Sequence, residues 1–135
     1  CQIESGDSIN AQAYNPADRG ETSVGICQWR GGKYDRLNPM LSFCGVNGPV
    51  SRGNLPPLEK QLDFMWHEFH TSERKAYNYL LSSTTIQEAV QGMIMFERDA
   101  SYKNGTVDTT SPYYLRKLQK ARNILSSVSY TGGNA

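Results

Sequence analysis

From Pro57 onward the apolar residues of this chain return at helical intervals. Leu58, Leu62, Met65, Trp66 and Phe69 follow one another at steps of four, three, one and three, the stripe of a buried helix face. Pro57 suits the first turn. Ser72 to Leu81 reads as a second, shorter helix with Ala76, Tyr77, Leu80 and Leu81 inward. Thr85-Ile86-Gln87-Glu88 has the form of a capping box, in which Thr85 caps and Glu88 returns the bond. The helix it starts runs to about Arg98, with Ala89, Val90, Met93, Ile94 and Phe96 apolar. Residues 99–110 form a polar loop centred on Asn104-Gly105. Ser111-Pro112 then opens a last helix with Tyr114, Leu115, Leu118, Ala121, Ile124 and Leu125 on its core face. Thr131–Ala135 reads as a frayed or docked tail.

Before Pro57 the pattern is different. Residues 7–36 are rich in Asn, Asp, Gly and Pro, and Asn15-Pro16, Arg19-Gly20 and Gly31-Gly32 are turn formers. The pattern supports no strand longer than three or four residues, and at most a small hairpin around Ser23–Trp29 with Gly20 and Gly31 at its ends. Leu37 and Leu41, one turn apart, suggest a short helix within Lys33–Phe43, against which Pro39 stands. Gly45, Gly48, Pro49, Gly53, Pro56 and Pro57 make 44–57 a loop, either a mobile edge to a cleft or a connection. The plan is therefore mainly α (α+β), a small loop-rich or β-hairpin lobe followed by a helical lobe.

Composition narrows this little. A chain of 135 residues is one domain with room for a real core. A formal charge of +1 gives no bulk footprint for nucleic acid, and no apolar run is long enough to span a membrane. Cys1, Cys27 and Cys44 exclude a dense disulfide scaffold and a Cys-x-x-Cys pair; one Cys27–Cys44 bridge is an option, buried thiols the default. That usage fits a reducing compartment of synthesis. The opening at Cys1-Gln2-Ile3-Glu4, without Met, reads as the end of a helix whose beginning is absent, as in a processed product or one segment of a longer polypeptide.

Candidate chemistry gathers at Glu4-Ser5-Gly6 and Gly25-Ile26-Cys27-Gln28-Trp29. A carboxylic acid can protonate a glycosidic oxygen, an amide can hold hydroxyl or acetamido groups, and an aromatic plane suits a sugar face. A solvated Glu4 and a turn with a core tryptophan explain the same residues. His67 and His70 flank Glu68 at a spacing that fits one helical face, but no third ligand stands out and the interval is not His-Glu-x-x-His, so no metal is expected.

In order along the chain these elements resemble the phage tail lysozyme family, the peptidoglycan-cleaving domains of bacteriophage tails. The resemblance rests on Glu4-Ser5-Gly6, Asn15-Pro16, Gly25-Ile26-Cys27-Gln28-Trp29 and Gly31-Gly32-Lys33-Tyr34. It continues through Leu58-Glu59-Lys60-Gln61-Leu62-Asp63-Phe64-Met65-Trp66, Thr84-Thr85-Ile86-Gln87-Glu88-Ala89 and Phe96-Glu97-Arg98, and so covers nearly all of 1–125. Two departures stand out. Asp99 occupies the place of the family's proline, and the helix or two that precede the family's catalytic glutamate are not in this chain.

The resemblance implies a lysozyme-like catalytic domain over 1–128, lacking its first helix or helices, with 129–135 a flexible tail. It implies a muramidase with Glu4 as general acid and no cofactor. Glu21 and Asp18 are equal candidates for the second catalytic group, with Thr22 and Ser23 hydroxyls as an alternative means of holding water. Gln28, Trp29, Tyr34 and Ser23 are the candidate substrate contacts; a structural hydrogen bond for Gln28 and a core position for Trp29 remain open. Glu97 and Arg98 suggest an ion pair beneath a cleft. Lytic transglycosylase and a non-catalytic tail protein are the alternatives. The implied partners are peptidoglycan glycan strands, other phage tail proteins or an N-terminal segment of the same precursor, and further copies of the chain. The implied location is the virion tail, acting at the host cell wall or periplasm.

Overall fold

The computed structural model describes residues 10–18 and 20–128, in two units, Cys1–Lys75 and Ala76–Ala135. In the first unit, β1 (Tyr14–Asp18), β2 (Glu21–Val24) and β3 (Trp29–Arg30) form an antiparallel sheet in sequential order. The expected hairpin is the β2–β3 pair, which aligns Ser23 with Arg30 and Val24 with Trp29. A further hairpin precedes it. β1 runs five residues, longer than the turn-rich sequence suggested. It tolerates Pro16 because it is an edge strand whose register slips between Asn15 and Asp18.

Helix α1 (Leu37–Phe43) forms in spite of Pro39. The proline falls in the first turn, where no intrahelical N–H is needed. Asp35 supplies the missing acceptors: its Oδ1 receives the Leu37 and Asn38 N–H groups at 2.9 and 3.0 Å. Helix α2 (Leu58–His70) begins directly after Pro57. Its buried residues are Gln61, Phe64, Glu68 and Phe69, whereas Leu58, Leu62 and Trp66 are exposed. This corrects the face inferred from hydrophobicity. Two polar side chains occupy the inner stripe because each finds partners there.

Helix α3 (Arg74–Ser82) lies in the second unit from Ala76 on, and there packs against α4 (Ile86–Glu97) so closely that a Cβ on Gly92 would lie 2.6 Å from Leu80 Cδ2. The helix residue Leu81, expected inside, is exposed. Thr85 caps α4 by accepting the Glu88 N–H at 3.1 Å. Glu88 returns through its carboxylate to the Thr84 and Thr85 hydroxyls. The loop 99–110 contains a two-stranded hairpin, β4 (Tyr102–Lys103) and β5 (Thr106–Val107), turned by Asn104 and Gly105 at φ 53° and 80°. Helix α5 (Pro112–Ser127) starts at the expected Ser111 cap and closes a core of Val90, Ile94, Tyr114 and Leu118. Leu115 and Leu125 lie outside it.

Candidate active site

Within the first unit, the turn joining β2 to β3 is held on α2 at both ends. At its start Gly25 takes a φ of +80°, and a Cβ there would lie 2.5 Å from Gln61 Oε1. Only glycine permits that approach in that conformation. Gln61 is fully buried and its amide is fully employed. Its Oε1 accepts the Ile26 N–H at 2.9 Å, and its Nε2 donates to the Ala11 and Pro56 carbonyls, both at 2.7 Å. One side chain thus joins the strand entering the sheet, the loop before α2 and the turn. A second amide works beside it: Gln12 exchanges bonds with the Leu55 backbone at 3.2 and 3.1 Å.

At the far end of the turn, Trp29 is 1% exposed and its Nε1 donates to Glu68 Oε1 at 2.7 Å. Arg36 completes the arrangement with a two-pronged bond to the same carboxylate, Nε to Oε2 at 3.0 Å and Nη2 to Oε1 at 2.9 Å. Glu73 Oε1 stands 4.0 Å from Arg36 Nε. Burial alone works against the Arg36 charge, but the bonds and charge of Glu68, with Glu73 behind it, outweigh burial and raise its pKa above the ordinary value. Phe64 lies between Gln61 and Glu68 on the helix and meets the Trp29 ring edge-on, with centroids 5.6 Å apart.

Gln28 sits inside this clamp. It adopts a left-handed φ of 50°, unusual for a residue with a side chain. Its backbone N–H and its Nε2 both donate to the Gly25 carbonyl, at 3.2 and 2.9 Å. The residue remains partly exposed. At the other edge of the sheet, Asp18 and Glu21 face each other across the β1–β2 turn. The Ser23 hydroxyl donates to Asp18 Oδ2. Glu21 is exposed and its carboxyl lies over Gly32, where φ is +94°.

Comparison with known families matches residues 1–126 to phage tail lysozyme. The chain belongs to the phage tail lysozyme family. Membership gives it a peptidoglycan-lytic function and a virion-associated place. The α+β architecture, helices with a small antiparallel sheet, is that of a lysozyme-like fold. No curated protein and no solved structure matches the chain.

The Gly25-Ile26-Cys27-Gln28-Trp29 step on which the resemblance rests coincides with the clamped turn, and the Leu58–Trp66 stretch supplies Gln61. Glu4 lies outside the described residues. Trp29 is buried, which favours the core position over a sugar contact, and Ser23 is 0% exposed and bonded to Asp18. Tyr34 does expose its ring, beside which Lys33 Nζ stands 5.4 Å from the centroid. Glu97 accepts from Lys117 at 3.3 Å, and Asp99, in the place of the family's proline, pairs with Lys117 at 2.7 Å and binds the Ser101 N–H and hydroxyl. Cys27 and Cys44 are both thiols, and burial pushes the Cys44 pKa up. His70 Nδ1 lies 2.8 Å from the carbonyl of Trp66 on its own helix. Among the described residues no group of His, Cys, Asp or Glu gathers as a metal site, and no helix is long and apolar enough to cross a membrane.

Sequence reasoning missed Gln61, Glu68 and Arg36. The signal for Gln61 was present in the motif helix. Glu68 had none in hydrophobicity, although it stands two helical turns from Gln61.

Proposed function

We propose that the chain is a muramidase that hydrolyses the β-1,4 bond between N-acetylmuramic acid and N-acetylglucosamine, helping a phage tail penetrate the host cell wall. The observation that carries this reading is that the family match spans both Glu4 and the Gly25–Trp29 step. Glu4, as a carboxylic acid, gives its proton to the glycosidic oxygen while the bond from that oxygen to the muramic anomeric carbon breaks. Water adds to the anomeric carbon. The second carboxylate, Asp18 or Glu21, takes the water's proton, or else stabilises the positive charge while the ionised Glu4 takes that proton back. Gln28 and the exposed Tyr34 ring contact the glycan, Gln28 through its amide and Tyr34 through its face.

The catalytic domain covers 1–128, and the partners in the particle are other tail proteins or further copies of this chain. The test is digestion of purified peptidoglycan by the full chain, by Glu4→Gln, and by Asp18→Asn and Glu21→Gln separately. The proposal expects release by the parent, loss in Glu4→Gln, and strong loss in one of the other two. Undiminished release by Glu4→Gln rejects the assignment of the acid.

A further inference from the structure

Gln61 and Glu68 stand seven positions apart on one face of α2, and between them they hold both ends of the five-residue step that carries Gln28. The step is irregular: it contains Gly25 and Gln28 at positive φ, and its internal bonds are the two from Gln28 to the Gly25 carbonyl. A left-handed residue with a side chain persists only where its surroundings over-determine it. Here Gln61 and Glu68 supply those surroundings. Gln61 fixes Ile26 and fills the space a Gly25 Cβ would need. Glu68 fixes Trp29 through the indole N–H, and Arg36 holds the Glu68 carboxylate in turn.

We infer that Gln61 and the Trp29–Glu68–Arg36 chain are positioning elements for Gln28, acting on the reaction through that residue alone. None of them needs to touch substrate. Gln61 and Trp29 are sealed from solvent, and Gln28 is the partly exposed amide between them. A helix is the right support, because two points two turns apart on a rigid element fix both position and orientation of what spans them. The inference rests on the muramidase reading for its effect on rate, and on geometry alone for the clamp.

The experiment is a double-mutant cycle read as the rate of muropeptide release, on samples shown by circular dichroism to be folded at the assay temperature. The variants are Gln28→Ala, Gln61→Met and Trp29→Phe, with each of the last two also combined with Gln28→Ala. Each single change lowers the rate ~10–100-fold, the size expected when a positioned group is displaced. In the Gln28→Ala background, the second change costs less than about threefold, because nothing is left to position. Equal fold-losses in both backgrounds overturn the inference and leave Gln61 and Trp29 as supports of the fold. Should Gln61→Met not fold, Trp29→Phe decides, since it keeps an aromatic ring in the core and removes the donated N–H along with the indole's second ring. A parent chain that releases nothing rejects the muramidase reading instead. Amide hydrogen exchange then judges the clamp by itself: faster exchange of the Gln28 N–H in either variant upholds it, and unchanged exchange overturns it.

Discussion

The indole N–H of Trp29 ends on the carboxylate of Glu68, 2.7 Å away, inside the first unit, and Arg36 grips the same carboxylate with two bonds. A tryptophan that sequence chemistry offers to a sugar is thereby spent on holding a turn. Glu68→Leu leaves Arg36 and the Trp29 N–H without that partner, whereas Glu68→Gln keeps an acceptor for the indole. The leucine variant loses about 3–5 kcal/mol of stability, as expected for a broken buried pair, and the glutamine variant clearly less. Urea unfolding of the two variants checks the order.

The two tryptophans separate optically. Trp29 is 1% exposed and Trp66 59% exposed. Trp66→Phe leaves emission that acrylamide scarcely quenches, and Trp29→Phe leaves emission that it quenches readily. Equal quenching of the two variants contradicts the inner face assigned to α2.

That face marks the boundary of what the sequence disclosed. Helix positions, the Thr85 and Ser111 caps and the β2–β3 hairpin were legible, because caps, prolines and glycines act locally. The rotation of α2 was not. Hydrophobicity assigns a helix face by assuming that what is buried is apolar, and Gln61 and Glu68 break the assumption through partners 35 and 39 residues away. Asn104-Gly105 carried a hairpin signal of its own that the polar surroundings hid. At the site, the Gly25–Trp29 motif was visible in sequence, but the roles within it were not: the geometry turns Trp29 inward and leaves Tyr34 as the exposed ring.

Two glycines provide a controlled comparison. Gly20 and Gly25 have φ of +84° and +80°, but a Cβ meets nothing at Gly20 and meets Gln61 at 2.5 Å at Gly25. Gly20→Ala pays only backbone strain, ~1–2 kcal/mol. Gly25→Ala adds the clash with a buried, fully bonded amide, and its stability loss exceeds that of Gly20→Ala by at least ~1 kcal/mol. Thermal and urea unfolding of the pair measure the difference directly.

Acid acts on the second unit through Asp99. Burial opposes its charge, but the bond from Lys117, the donors of Ser101 and the Lys117 charge prevail, so its folded pKa lies below the ordinary value. A depressed carboxylate contributes stability that is complete above its unfolded pKa, ~3.9, and is lost as pH falls through the folded value. Asp99→Asn therefore lowers the melting temperature at neutral pH, and the gap from the parent narrows below about pH 4. A gap that is constant with pH contradicts the Asp99–Lys117 pairing.

Hydrolysis leaves its signature in the end group of the products. Peptidoglycan digested to completion by the full chain is analysed by mass spectrometry before and after borohydride reduction. A muramidase leaves reducing N-acetylmuramic ends that take up hydrogen on reduction, and these are missing from a Glu4→Gln digest. Muropeptides lighter by one water and inert to borohydride carry 1,6-anhydro ends, and their appearance contradicts hydrolysis in favour of transglycosylation.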